Sequence, residues 1–370
     1  MRLTMAARMI SVLGATGYTG RLIVRELHRL GVAVLAAGRN RDKLHALAAE
    51  VGGIDTAEAS VENRPSLDRL AARSRVIINT AGPFIDYGEP VVRAAIANGA
   101  HYLDTTGEQP FVKAMHAHDE WARRQGVAVV PAQAFEIAVA DCAAAVAAKG
   151  FRDLASVHVT YVTRFHASQG TQRTVLRMLQ SAGYGYVGGE WVEERPAAKV
   201  RVVRLPLPLG RVTAVSFPSA EVITIPRHLT VRQVRTYMAV PATLARVMSA
   251  TTPMLRMLLR SPLAGIATRF VGSGTGGPDE ATRAHDEFHI VVDVRGVRGG
   301  AASHHVLMVH GRDPYGLTAA IAAHGAMLMS KADYDRSGVL PPAAAFDPGA
   351  FLEYLKQFGL SYTLSDPRNG

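Results

Sequence analysis

The sequence predicts an α/β protein, an N-terminal Rossmann-type parallel sheet followed by a second, α+β domain that holds the substrate. Three observations predict it. Short β-branched runs alternate with helical stretches through the first 130 residues, the pattern of a parallel sheet wrapped by helices. A glycine-rich turn, Gly14-Ala15-Thr16-Gly17-Tyr18-Thr19-Gly20, joins the first of those runs to the first helix. The alternation stops at Pro131, and 370 residues exceed what one small core organises. The expected divisions are a nucleotide-binding domain over 1–131, a substrate and dimerisation domain over 132–313, and a C-terminal helical segment over 314–370 that packs back on the first domain.

Element by element, Met9–Leu13 is an apolar strand ending in glycine and Arg21–Leu30 has helical spacing. Val32–Ala37 is the second strand and Asp42–Val51 the next helix. Arg75–Asn79 is a strand closing on Thr80-Ala81-Gly82-Pro83, and Pro90–Asn98 a helix. His101–Leu103 is a short strand, Phe111–Gln125 a helix, and Val127–Val130 the strand that Pro131 stops. Beyond it, Ile137–Lys149 is a helix of small residues, Ser156–Val162 a strand and Thr171–Leu179 a helix. Lys199–Leu205 and Val222–Ile225 read as strands, and Glu287–Val294 with His304–His310 as a hairpin across Arg295–Gly300. Pro314–Leu328 is helical. Thr252–Val271 crowds Met254, Leu255, Met257, Leu258 and Leu259 around Arg256 and Arg260, with Pro262 interrupting. It reads as a core or dimer-interface helix, a lid, or a helix that touches lipid.

The glycine turn sits where a dinucleotide diphosphate binds. Gly14 permits the sharp turn, Gly17 lets the backbone approach the diphosphate, and Gly20 lets the helix pack on the sheet. The first N–H groups of that helix then face the negative charge. An NAD enzyme usually ends its second strand with an acid that grips the ribose hydroxyls. This chain has Gly38-Arg39-Asn40-Arg41 there, with Lys43 just after. A guanidinium at Arg39 suits an adenosine 2′-phosphate, so NADPH is expected over NADH. Small residues at Thr80, Ala81, Gly82 and Pro83 would admit the nicotinamide half at the carboxyl edge of the sheet. Tyr102-Leu103-Asp104-Thr105-Thr106-Gly107-Glu108 leaves its strand in a polar cluster, readable as a site or as a capped turn before the next helix.

Other classes are disfavoured. The net charge is +10, but Lys and Arg are scattered without an aromatic platform, so no nucleic-acid partner is expected. No apolar run approaches the ~20 residues of a membrane span. Met1–Arg8 lacks a separate apolar region and cleavage site, so a signal peptide is not expected and a cytoplasmic location is. The single cysteine, Cys142, excludes an internal disulfide and a multi-cysteine metal site, and no metal is expected. Cys142 lies in a small-residue helix, which reads as packing rather than as a nucleophile. None of the eleven tyrosines has a lysine four positions later, which excludes the short-chain dehydrogenase mechanism.

Gly14 to Gly20, Ala37-Gly38-Arg39, Thr80 to Phe84, Tyr87-Gly88 and Tyr102 to Glu108 together resemble the saccharopine dehydrogenase-like oxidoreductases, including their bacterial trans-acting enoyl reductase branch. Weaker echoes follow at Ala140-Asp141-Cys142, Gly170-Thr171, Gly277-Pro278 and Tyr315 to Ala319. The resemblance implies NADP(H) and hydride transfer to a C=C or C=N bond. It implies cofactor contacts from Gly14, Thr16, Gly17, Tyr18, Thr19, Gly20, Arg39, Ala81, Gly82 and Pro83, to which position adds Ala15, Asn40, Lys43 and Thr80. It places Tyr102, Asp104 and Thr105 near the substrate. Where many relatives carry Gly-Phe-Asp after Pro131, this chain reads Gln133-Ala134-Phe135-Glu136-Ile137.

The leading expectation is an NADPH-dependent reductase acting on an activated C=C bond of an apolar acyl, polyketide or isoprenoid substrate. The enolate that forms needs a hydrogen-bond donor and a proton. Tyr87, Tyr102, Asp104 and His166 are the candidate catalytic residues. The second reading is an imine reductase, with an iminium held by Asp104 or Glu108 and substrate carboxylates by Arg164 or Arg173. The third is a non-catalytic NADPH sensor. A homodimer and peripheral contact with a membrane complete the expectations.

Overall fold

A computed structural model describes residues 8–164, 166–172, 183–259 and 276–366. These form two compact units: 1–106 with 114–135 and 315–340, and 107–113 with 136–314 and 341–370.

In the first unit, six strands follow one another: β1 (Met9–Leu13), β2 (Val34–Gly38), β3 (Asp55–Glu58), β4 (Ser74–Asn79), β5 (His101–Asp104) and β6 (Ala128–Val130). Among the described residues they make a seven-stranded sheet with the late strand Gly338–Val339, in the order late strand-β6-β5-β4-β1-β2-β3. Every pairing is parallel. Parallel strands need crossovers, here α1 (Tyr18–Arg29), α2 (Arg41–Val51), α3 (Arg64–Arg73), α4 (Phe84–Ala97), and then α5 (Gln109–Met115) with α6 (Asp119–Arg124). Such a sheet is buried on both faces, hence the continuous apolar runs of β1, β2 and β4. The strand order reverses direction at β1, between β2 on one side and β4 on the other. That switch point is where open α/β sheets hold ligands.

The second unit opens with α7 (Phe135–Ala147) and the long strand β7 (Phe151–Arg164). Among the described residues, its sheet has nine strands. Gln233–Ala239 runs parallel to β7, and Glu287–Arg298 antiparallel on the other side. Glu287–Arg298 and Ala301–Arg312, twelve residues each, form a hairpin, and Ser361–Ser365 closes its outer edge. Among the described residues, no helix is long and apolar enough to cross a membrane.

Several elements differ from expectation for identifiable reasons. Val222–Ile225 is not a strand: Glu221–Thr224 is one buried helical turn between Pro218 and Pro226, where β-branched side chains fill a core. The hairpin turns at Gly299 and Gly300, both at positive φ, rather than over Arg295–Gly300. Helix α4 starts at Phe84 and carries Pro90 within it, not at its start. The expected helix Phe111–Gln125 is broken into α5, a 3₁₀ turn at His116–His118, and α6. Most of the expected helix Thr171–Leu179, and Thr252–Val271 beyond Leu259, lie outside the described residues.

The unit boundaries also depart from divisions at 131/132 and 313/314. The segment 314–370 is shared between the units rather than packed on the first. Gly338–Val339 pairs with β6, whereas Ser361–Ser365 pairs with Ala301–Arg312. Residues 107–113 join the second unit because the Gln109 amide donates to the carbonyls of Tyr184 and Ser219 and accepts from Tyr184 N.

The late strand is pinned by Asp119, whose Oδ1 accepts from Val339 N at 2.7 Å. Gly338 has φ 102°, and a Cβ there would lie 2.6 Å from the same Oδ1. Gly338→Ala should therefore destabilise the protein by more than about 1 kcal/mol through strain and collision. Denaturant unfolding that matches wild type would disprove this account of the edge.

Candidate functional site

The glycine turn is built as a close-packed seat. Gly14 N and Ala15 N both donate to Ala37 O, at 2.9 and 3.1 Å, which ties the turn to the end of β2. Gly14 has φ 83°, and a Cβ there would meet Thr80 Oγ1 at 2.7 Å. A Cβ on Gly20 would press against Gly14 O and come within 2.9 Å of Ala15 Cα. Only glycine allows α1 this close to the strand that precedes it. Gly17 occupies the N-cap of α1 with no side-chain cap, and the first turn holds no acid. By contrast, Asn40 and Asn63 cap α2 and α3. The uncapped, acid-free end of α1 suits an anion. Tyr18, at the start of α1, packs edge-on against Tyr315, with ring centroids 5.0 Å apart.

At the end of β2, Arg39 is exposed and makes no ion pair among the described residues. The arginines of α1 are engaged: Arg21 and Arg25 reach Glu50, and Arg29 pairs with Glu26. Among the described residues Arg39, Arg41 and Lys43 at the end of β2 are thus exposed cations in no ion pair. Asn40 has a different task from the cofactor contact expected of it, because its Oδ1 accepts from Lys43 N at 2.9 Å and caps α2. Lys43 is exposed in the first turn of that helix.

Thr80 anchors the other side of the seat. Its N–H and hydroxyl both donate to Leu13 O, each at 2.9 Å. Ala81, Gly82 and Pro83 lead into α4, where Tyr87 is 36% exposed. Tyr87 keeps a surface on which a proton could move.

Tyr102 and Asp104 do not. Both are fully buried, and they form a polar strut across the carboxyl ends of three strands. Ala81 N donates to Asn79 Oδ1 at 3.0 Å, and Asn79 Nδ2 donates to the Tyr102 hydroxyl at 3.2 Å. That hydroxyl donates to Asp104 Oδ2 at 2.8 Å. Asp104 Oδ1 accepts from Thr106 N at 2.9 Å and from Ala132 N at 3.0 Å. Burial, and then the Asp104 charge, push the Tyr102 phenol well above its usual range. The pair positions loops instead of transferring protons, and Asp104 has both oxygens committed where an iminium was expected. Thr105 is half-buried beside them. Asn79, the strut's first member, was not among the expected site residues.

In the second unit, His166 is 71% exposed at its side chain. Its Nδ1 bonds Asp286 Oδ1 at 2.8 Å, and its backbone N–H donates to Asp286 Oδ2 at 3.0 Å. The Asp286 side chain is only 3% exposed, so a fixed carboxylate orients the exposed ring through Nδ1. Arg164 is exposed, Glu108 is buried, and Arg173 lies outside the described residues. Arg235, another arginine available to a substrate carboxylate, is paired with Glu194.

A buried acid cluster appears that sequence reasoning missed. Tyr161 and Glu221 are buried beside the half-buried Glu136, with the Tyr161 hydroxyl bonded to Glu221 Oε1 and 3.4 Å from Glu136 O. Burial raises Glu136 to about 7, with Glu221 adding to the rise. Burial likewise raises Glu221 to about 7, against the hydroxyls of Ser219 and Tyr161. Cys142, one residue from Asp141, is buried and its thiol is pushed well up by burial, as a packing residue would be.

Comparison with known proteins now adds to the geometry. Residues 10–130 match the family of the saccharopine dehydrogenase NADP binding domain. NADP(H) is thus the cofactor of this domain, and the tight glycine seat with Arg39, in no ion pair among the described residues, fits it. A mouse saccharopine dehydrogenase-like oxidoreductase is 34% identical over 152 residues, 35% of each chain. A Caenorhabditis elegans lipid droplet localized protein is 31% identical over 217 residues, 53% of this chain and 51% of the relative. A Mycobacterium tuberculosis protein, provisionally named a trans-acting enoyl reductase, is 33% identical over 141 residues, 36% of this chain and 33% of the relative. The matches span about a third to a half of these relatives' lengths. Apo saccharopine dehydrogenase (L-Glu forming) from Saccharomyces cerevisiae shares the fold, with a TM-score of 0.66 at 12% identity over 97% of this chain and 100% of that one.

The acid cluster makes stability pH-dependent in a defined direction. Unfolded, Glu221 titrates near its ordinary 4.5; folded, it holds its proton to about 7. Its contribution is fully present below pH 4.5 and is lost as pH rises through 7. Glu221→Gln should flatten the fall in melting temperature across that window. An unchanged slope would show that the carboxyl is ionised in the native state.

Proposed function

We propose, on the premise that residues 10–130 form a saccharopine dehydrogenase NADP-binding domain, that this chain is an NADPH-dependent reductase of an activated C=C bond. The observation that carries the reading is the nucleotide seat: an uncapped α1 reached through a turn that excludes side chains, with a guanidinium at the end of β2 that is in no ion pair among the described residues. The cofactor supplies the hydride, so the chain's own tasks are to bind, orient and protonate. Gly14 to Gly20 bind the diphosphate, and Arg39 the 2′-phosphate. The strut from Asn79 to Asp104 holds the loops at the ends of β4, β5 and β6 at fixed spacing.

Hydride adds to the β-carbon, the C=C π electrons move toward the activating carbonyl, and the resulting enolate takes a proton at the α-carbon. His166 donates that proton from Nε2, and Asp286 fixes the ring by holding Nδ1. Tyr87 is the alternative donor. The substrate is an apolar acyl, polyketide or isoprenoid chain. Exposed Leu244, Val247 and Met257 on the helix Ala242–Leu259 support that choice, as does the name of the mycobacterial relative. The worm relative is named for lipid droplets, and we extend contact with a lipid surface to this chain through the same helix.

Loss of NADPH absorbance should be seen with α,β-unsaturated acyl thioesters and not with amino-acid imines; turnover of imines alone would reverse the assignment. Arg39→Ala should weaken NADPH about ten- to hundred-fold while changing NADH by less than about two-fold. Equal losses for both nucleotides would refute the phosphate contact. His166→Gln should lower kcat by about 10²–10⁴ with NADPH affinity intact. Normal turnover would shift the proton transfer to Tyr87.

A further inference from the structure

Gln133 is fully buried in the nucleotide-binding unit, and neither Nε2 nor Oε1 has a hydrogen-bond partner among the described residues. A primary amide can donate twice and accept twice, and leaving such groups unmet in an interior is destabilising. The backbone that carries this amide is held firmly. Gln133 N donates to Asp104 O at 2.7 Å, and Ala132 N donates to Asp104 Oδ1 at 3.0 Å. Ala132 is kept at φ 65°, a left-handed conformation unusual for a residue with a side chain. Two residues on, Phe135 N donates to Thr318 Oγ1 at 3.1 Å. The segment is thus fixed by three hydrogen bonds, while its polar tip has no hydrogen-bond partner among the described residues.

Position decides what the tip meets. Gln133 lies just beyond β6, at the carboxyl edge, in a sheet ordered β6-β5-β4-β1-β2. With the diphosphate at the turn after β1 and the 2′-phosphate at Arg39 after β2, the adenosine half of the dinucleotide is on the β2 side. The nicotinamide half then extends over β4, β5 and β6. Its carboxamide presents a donor and an acceptor in one plane, the complement of a glutamine side chain; the adenine edge does so too, but belongs to the half on the β2 side.

We propose that the Gln133 amide anchors the nicotinamide carboxamide of NADP(H), Nε2 donating to the carboxamide oxygen and Oε1 accepting from its nitrogen. This rests on the NADP(H) reading above. It makes the segment after Pro131 a cofactor clamp, and the strut through Asp104 its support.

The test is calorimetric titration of the full chain with three ligands: NADP⁺, its 3-acetylpyridine analogue, and 2′-phospho-ADP-ribose, which lacks the nicotinamide. Wild type should prefer NADP⁺ to the acetylpyridine analogue by about ten-fold, one hydrogen-bond's difference. Gln133→Met should lose about a hundred-fold for NADP⁺ and about ten-fold for the acetylpyridine analogue, erasing that preference, and bind 2′-phospho-ADP-ribose as wild type does. Without ligand it should melt no lower than wild type, because an orphaned amide is gone. Unchanged NADP⁺ affinity, equal loss for all three ligands, or a lower melting temperature would each overturn the proposal. So would a wild type that does not distinguish the first two ligands, a comparison that needs no variant. Binding of 2′-phospho-ADP-ribose by wild type would show that the nucleotide reading stands even where the clamp fails; wild type that binds none of the three would overturn both.

Discussion

The nucleotide-binding edge depends on three buried polar side chains that satisfy one another. Asn79, Tyr102 and Asp104 sit at the carboxyl ends of adjacent strands, out of reach of water, where an unpaired polar atom is costly. Each therefore constrains the next, and the loops after β4, β5 and β6 inherit the spacing. Asp104 is the hub, since its carboxylate collects the Tyr102 hydroxyl and two backbone N–H groups while its carbonyl collects a third. A nicotinamide ring must be presented to substrate within narrow tolerances, and a network of this kind fixes backbone better than apolar packing, which tolerates sliding.

Electrostatics along α1 serve the same end. The arginines of its exposed face are balanced by Glu26 and Glu50, so the helix adds little diffuse positive field. Among the described residues, what stays uncompensated near the turn is local: the helix end and the basic residues Arg39, Arg41 and Lys43. Discrimination between two nucleotides that differ by one phosphate is a matter of short-range charge, because solvent screens anything farther off.

The legible parts of the fold and site were those with local causes. The glycine turn, β1, β2 and β4 announce themselves through steric needs and burial on both sheet faces. The basic end of β2 was readable for the same reason, as was Asp104, although the role foreseen for it was chemical. Asn79 was invisible because a polar residue ending a strand looks the same whether it faces solvent or spans to a tyrosine 23 positions on. Strand β3, Asp55-Thr56-Ala57-Glu58, lies at the sheet edge and has no apolar alternation to detect. Glu221 was hidden at the head of a β-branched run that resembles a strand and is a buried helical turn. Gln133 was noticed only as a departure from its relatives' pattern. Its meaning lies in what surrounds it, which no spacing encodes.

Pairing of Gly338–Val339 with β6 has a consequence for how the molecule comes into being. Some two hundred residues separate the partners, so nascent chain that has emerged only as far as β6 leaves the border of its sheet uncovered. The nucleotide domain is thus not a contiguous cassette. A gene fragment cut after the sixth strand would encode a protein with an open, sticky margin, and transplanting this module into another enzyme would require carrying the distant piece along.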